Sequence, residues 1–285
     1  MKWQHSIQSI SLCLAIVFMA SCGTVQNPPT EAKPQPPVPE PVFSALPQGT
    51  EVLSTRTFSS SKNTSYKIEV VKDDREEEMR ALPARERDVA VAPSVVAALG
   101  DNFQGTARKA AKLSFATAPV ETFADVQLLI NTLPSHSAMV HHTPPITVLA
   151  NSNRVAEEKR NVKVRAFLYA ASREDDNDFH LIMGRAPNAS PAVYFTMELS
   201  GLPPANSAAF TRLMAAREAF KTFFGSNLPG TNYDFYTPPI PVEVEGSLFF
   251  DMSHATGGRP GPATLRPKMP VVWEMHPINR IVFEP

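Results

Sequence analysis

From residue 161 onward, apolar and polar residues take turns along the chain. Residues 161–170 (NVKVRAFLYA) alternate at the period of a half-buried strand. The acidic loop REDDND follows, then FHLIMG as a second, shorter strand. In AVYFTMELSG, Val193, Phe195, Met197 and Leu199 fall on one face and Tyr194, Thr196 and Glu198 on the other. The period then changes. Phe210, Leu213, Met214, Arg217, Phe220 and Phe224 recur at three and four, which predicts a helix capped by Asn206 and stopped by Gly225. Alternation returns in IPVEVEGSLFF, with Val242, Val244, Gly246, Leu248 and Phe250 inward and Glu243, Glu245 and Ser247 outward. VVWEMHPINRIVF predicts a fifth strand, bent or broken at Pro277.

Three strands, a helix and two strands is the element order of the OB fold. The expected fold is therefore mainly β with one packed helix, an OB-like, five-stranded, partly open barrel over residues 136–285. A split sheet with one packed helix is the competing architecture. Residues 51–135 read as an N-terminal α/β annex. Tyr66 to Val71 alternates as one strand, and residues 73–87 are charge-rich and solvated. Ser94 is placed to cap a short helix ending at Gly100, and Thr122 to cap another from Phe123 to Leu133.

The first residues change the picture of where such a domain works. Lys2 and His5 precede an apolar run that ends in Met19-Ala20-Ser21-Cys22, the layout of a secretory signal peptide over residues 1–21. The cysteine after Ala-Ser resembles the lipobox of bacterial lipoproteins, with Met19 where leucine is usual. That resemblance implies lipidation of Cys22 and a lipid bilayer as partner. Gly23, rather than Asp, follows the cysteine, which by the sorting pattern of such lipoproteins implies the outer membrane. Residues 22–50 are rich in proline, which excludes helix and sheet and favours extended polyproline. At ~3.1 Å per residue, a stretch of roughly 25 residues is a tether of about 70–80 Å.

Charge and cysteine content narrow the chemistry. Lys and Arg number 27 against 28 Asp and Glu, a balance that does not fit a protein devoted to coating duplex nucleic acid. Nucleic acid is not the expected partner; an envelope polymer, a glycan or a protein is. The two cysteines are Cys13, in the expected signal, and Cys22. A mature chain would thus have no thiol for a disulfide, a nucleophile or a Cys-ligated zinc site.

Candidate ligands gather where strands end. Asp175, Asp176, Asp178 and His180 surround the first loop, Asp251 and His254 follow the fourth strand, and Glu274 and His276 share a face of the fifth. In an OB barrel the loops after strands one and four flank the ligand face, so a metal-dependent hydrolase would draw on Asp178, His180, Asp251, His254, Glu274 and His276, with Asp251, His254, Glu274 and His276 as ligands. No spacing among them matches a recognised zinc motif, and acidic loops commonly serve as solvated turns. His136, His141 and His142 form a weaker histidine group in a proline-flanked segment. On strand one, Lys163, Arg165, Phe167 and Tyr169 share a side, as in a stacking platform for a sugar or single strand. The same alternation arises if the rings pack under the annex.

The blocks NRVAEEKRNVKVRAFLYAASREDDNDFHLIMG, YFTMELSGLPP, PIPVEVEGSLFFDMSHATGGRPGP and VVWEMHPINRI resemble, in order, a group of bacterial exported proteins whose small barrel ends in a WE-x-HP-x-x-x-I segment. The resemblance spans about residues 150–285. It implies an OB-like barrel and carries no activity and no functional residue. The expected role is a membrane-anchored envelope lipoprotein that binds or scaffolds without a cofactor, with the metal-dependent hydrolase as the alternative.

Overall fold

A computed structural model describes residues 46–47, 49–72, 100–255 and 259–285. The expected signal peptide, Cys22, most of the proline-rich tether, the charged segment 73–87 and the helix expected at 94–99 lie outside the described residues. The described elements are, in chain order, β1 (Ser54–Ser59), β2 (Ser65–Val71), α1 (Lys109–Lys112), β3 (Val120–Phe123), α2 (Val126–Ile130), α3 (His136–Val140), β4 (Asn161–Arg173), β5 (Phe179–Gly184), β6 (Tyr194–Leu199), α4 (Phe210–Phe224), β7 (Tyr233–Phe250), α5 (Met252–Ala255) and β8 (Trp273–Phe283). No helix among the described residues is long and apolar enough to cross a membrane.

The protein is mainly β, with one eight-stranded sheet and one long packed helix. Five strands close a circuit of pairings: β4 with β5, β5 with β6, β6 with β8, β8 with β7, and β7 with β4. The β6–β8 pairing is parallel and the other four are antiparallel. The sheet is thus larger than the five strands expected. Three further strands come from residues 51–135. β2 pairs with the first part of β7 and carries β1 beside it, while β3 runs parallel to β4. Only one of these three, the strand at Tyr66–Val71, reads clearly in sequence.

Local chemistry explains the other departures. Asp125, not Thr122, caps α2: its Oδ1 accepts from the amides of Gln127 and Leu128 at 2.7 and 3.2 Å. Thr122 instead lies in β3, so the helix expected from Phe123 is shorter and later. The long helix starts at Phe210, with Ala209 at its N-cap and no side-chain cap from Asn206, and it ends at Gly225 at φ 55°. β7 begins at Tyr233, earlier than its alternation indicated, and runs through Pro238, Pro239 and Pro241. β8 is bent rather than broken. The ladder skips a residue opposite Pro277, between the Gly246–Ile278 and Leu248–Met275 pairs, and pairing resumes on both sides.

Inside the circuit lie Val162, Val164, Leu181, Met183, Phe195, Met197, Leu248, Met275 and Ile278, all buried in one apolar core. The apolar stripe of α4 closes one end of it. Phe220 and Phe224 are essentially unexposed, and the Phe220 ring lies 4.8 Å from Phe179 and 6.0 Å from Phe283. Each such ring contributes about 1.5–3 kcal/mol of burial.

Candidate functional site

β5 and β6 are buried along their whole length, on both faces. The inner face belongs to the apolar core. By alternation the outer face presents His180 on β5, Thr196 and Glu198 on β6, and Glu274 and His276 on β8. The segment 102–112 covers its end near Glu198 and His276, and Leu265 and Met269 pack on it at Ile182. Phe103 N donates to Leu202 O at 3.0 Å, Gln104 N to Asp176 O at 2.9 Å, and Ser200 Oγ to Lys112 O at 3.1 Å. Contact is so close that a Cβ on Gly201 would meet Phe103 Cα at 2.6 Å. Polar residues patterned to face water are thereby enclosed.

Glu198, Glu274 and His276 converge with Asp178, from the loop before β5. The Asp176 carboxylate accepts from Asp178 N at 3.1 Å, which turns the acidic loop and aims Asp178 at β8. Asp178 Oδ1 accepts from Gly201 N at 2.5 Å, and its Oδ2 lies 3.2 Å from His276 Nε2. On the other side of the ring, His276 Nδ1 lies 2.9 Å from Glu198 Oε2 and 3.6 Å from Glu274 Oε2. Asp178 and His276 are 0 % exposed, Glu274 2 % and Glu198 5 %. Asp178, Glu198 and His276 each offer one ligand atom, and those atoms lie within 4.8 Å of one another.

Negative charge dominates the group, and protons follow. Burial, then the neighbouring Glu174 and Asp178, hold the Glu198 carboxyl well above its ordinary range. Burial and then Glu198 and Asp251 do the same to Glu274. His276 is displaced upward: burial opposes its charge, but Asp178 and Glu274 outweigh that. Lys112 brings positive charge from the cover, with Nζ 3.6 Å from Asp176 Oδ2.

Of the six residues expected to form a hydrolytic centre, Asp178, Glu274 and His276 come together. The others have partners of their own. His180 sits 3.1 Å from Glu174 and 3.1 Å from the Tyr233 hydroxyl. Asp251 pairs with His254 and accepts from Ser253 N at 2.9 Å. Burial disfavours the Asp251 charge, yet His254 holds its carboxyl well below the usual range. The Asp-x-x-His stretch is thus an ion pair at the end of β7, beside the larger cluster rather than half of it. Asp175 and Asp176 remain in the turn.

Sequence reasoning missed Glu198 and Lys112. Glu198 was visible as a polar residue on the same face as Thr196, but joining it to Glu274 and His276 requires the parallel β6–β8 pairing. Lys112 lies in a stretch, NFQGTARKAAKLS, without a sheet or long-helix period.

On the cation–aromatic side of β4, Arg165 stands exposed and the rings are partly or wholly packed. Tyr169 is 2 % exposed, donates to Arg185 O at 2.6 Å and packs edge-on against Tyr194 at 4.9 Å. Lys163 and Arg165 stand opposite Glu245 and Glu243 across the β4–β7 ladder. Phe167 is half-buried. The three histidines of α3 and the turn after it do not converge: His136 packs on Phe250, His141 Nδ1 bonds Ser137 O, and His142 lies 3.0 Å from Glu157.

No protein-family model, curated protein or solved structure matches this chain.

Proposed function

We propose that this chain is an exported lipoprotein, anchored to the outer membrane through an acylated Cys22, whose OB-type barrel acts as a non-catalytic binding or scaffolding module for an envelope polymer, glycan or protein. The barrel type is supported by the pairing circuit, with its parallel third-to-fifth contact and a helix between the third and fourth members. The anchor rests on the apolar run and the Ala-Ser-Cys-Gly segment.

One observation carries the non-catalytic reading. Asp178 Oδ2, Glu198 Oε2 and both His276 nitrogens are enclosed atoms. A general base or a hydrolytic metal must reach both a water and a substrate, and these groups meet neither while residues 102–112 lie over them. That segment, together with Leu265 and Met269, covers the outer face of β5 and β6, the counterpart of the face on which OB modules take their ligands. A partner is then met on another surface, which favours scaffolding.

Fractionation and assay together test this. The full-length chain is expected in the membrane fraction and Cys22→Ser in the soluble one. The purified chain is expected not to cleave bis-p-nitrophenyl phosphate with Zn²⁺, Mn²⁺ or Mg²⁺. Turnover that disappears in His276→Ala would overturn the non-catalytic reading, and a soluble wild-type chain would overturn the anchor.

A further inference from the structure

The cluster on the outer face of β5, β6 and β8 holds more ligating atoms than hydrogen-bond partners. Asp178 Oδ2, Glu198 Oε2, His276 Nδ1 and His276 Nε2 are all enclosed, and none makes a hydrogen bond of acceptable geometry. They approach one another at 2.9 and 3.2 Å but point past the directions that an N–H and a lone pair need. One enclosed orphan atom costs about 1–3 kcal/mol, and more when charged. Two carboxylate oxygens and both nitrogens of one imidazole are too many to leave without an occupant. Asp178 is also held in place by its other oxygen, which Gly201 N fixes.

We propose that this centre is a built site for one divalent transition ion, held by Asp178, Glu198 and His276 with Glu274 beside them, and that the ion is structural. With one atom from each residue, the three ligand atoms lie within 4.8 Å of one another. Ligands bonded at about 2.0–2.1 Å to one ion stand roughly 3–4 Å apart, so the three close onto the ion by about an ångström. Imidazole nitrogen with carboxylate oxygens selects the zinc and manganese class over calcium. A ligating histidine keeps its second nitrogen for a carboxylate: with Nε2 on the ion beside Asp178, His276 Nδ1 keeps Glu274, 3.6 Å away. The ion would tie the start of β5 to β6 and β8, where β6 and β8 have only two paired positions, Thr196–Glu274 and Met197–Met275. It would also neutralise the face that residues 102–112 cover.

Because the site is enclosed, the ion enters as the chain folds and leaves only when it unfolds. The test uses full-length protein purified without chelator and analysed by plasma mass spectrometry. About one equivalent of zinc or manganese per chain is expected. It should survive native dialysis against EDTA and be released when EDTA is combined with guanidinium. Glu198→Gln and His276→Gln should hold about tenfold less metal or lower still, while His254→Gln keeps it. Wild-type protein refolded with Co²⁺ should gain visible absorption from nitrogen and oxygen ligation, a readout that stands even where a variant does not fold. Wild-type protein without metal above the buffer blank, both as purified and after refolding with Zn²⁺, Mn²⁺ and Co²⁺, overturns the proposal. So does metal that persists in Glu198→Gln and vanishes in His254→Gln.

Discussion

Arg108 with Glu158, and Asp178 with Glu198, Glu274 and His276, are two groups of buried charge that the fold treats in opposite ways. Glu158 is 0 % exposed and both its oxygens are fully used. Oε1 accepts from Arg108 Nη1 at 2.6 Å and Phe250 N at 2.8 Å; Oε2 accepts from Arg108 Nη2 at 2.7 Å and Val155 N at 2.8 Å. The guanidinium also reaches the carbonyls of Phe250 and Asn153 and stacks over Phe249 at 4.6 Å. One cation faces one anion; the carboxylate is fully satisfied, and of the guanidinium nitrogens only Nε is without a hydrogen bond. In the second group several carboxylates surround one imidazole, and four ligating atoms lack hydrogen bonds. Depth of burial is therefore a poor guide to role. Whether the carboxylate oxygens are filled by protein donors separates a strut from a site.

Breaking the strut gives the largest effect. Glu158→Ala leaves a buried guanidinium without its partner, and a loss of about 3–5 kcal/mol is expected, measured by urea unfolding at neutral pH. A double variant with Arg108→Ala should lose less than the sum of the two single changes, since the second change removes the charge that the first strands. Next comes the contact that encloses the site. In Gly201→Ala the new methyl meets the Phe103 backbone, which cannot yield as a side-chain tip would. A loss of about 1–3 kcal/mol is expected, with faster hydrogen exchange confined first to residues 102–112. Exchange that rises evenly over the sheet would mean that this segment is not a separable cover.

That cover marks the boundary of what was legible. The strands from 161 onward and the helix at 210–224 announce themselves because one face of each packs on an apolar core, and burial imposes the period. Val193, Phe195, Met197 and Leu199 against Thr196 and Glu198 is such a case: the faces are as read, but both are buried. Nothing local to β6 marks the second burial, which comes from a segment some ninety residues earlier in the chain without a period of its own. β1 and β3 were missed for a related reason. Each is held by its partner, and their residues are largely exposed. In the site, Glu274 and His276 were paired by their spacing on one strand, and Asp178 by its loop. Glu198 needed the β6–β8 pairing, a contact between strands far apart in sequence.

Acid sharpens the comparison with a third pair of partners, outside both clusters. Burial pushes the Asp101 carboxyl up, but hydrogen bonds from Arg217 and Lys221, at 2.8 and 2.6 Å, lower it to about 2 from 3.8. The folded value lies below the unfolded one, so Asp101 contributes stability above pH 3.8 that is lost as pH falls toward 2. Asp101 is a quarter exposed, and after solvent screening the contribution is about 1 kcal/mol. Asp101→Asn should lower stability by that amount at pH 6 and converge on wild type near pH 2, in urea titrations across that range. A constant offset at every pH would mean that Asp101 acts through packing rather than charge.

The smallest effect is expected where intuition about buried charge would place a large one. In protein unfolded and refolded in chelator, Glu198→Gln should change stability by less than about 1 kcal/mol. Burial, Glu174 and Asp178 push that carboxyl well above its ordinary range, which favours the neutral form, and glutamine reproduces a neutral glutamate in shape while bringing no charge. The same exchange at Glu158 puts an amide NH₂ against N–H donors that had faced an oxygen, and it removes the charge that balances Arg108. Glu158→Gln should thus be clearly destabilising in the same buffer. Refolding with Zn²⁺ should raise the wild-type melting temperature and raise that of Glu198→Gln less, so the gap between the two glutamates narrows only when the ion is present. Equal losses at both positions in chelator would mean that Glu198 is charged and paired after all, and the contrast between strut and site would fail at its central residue.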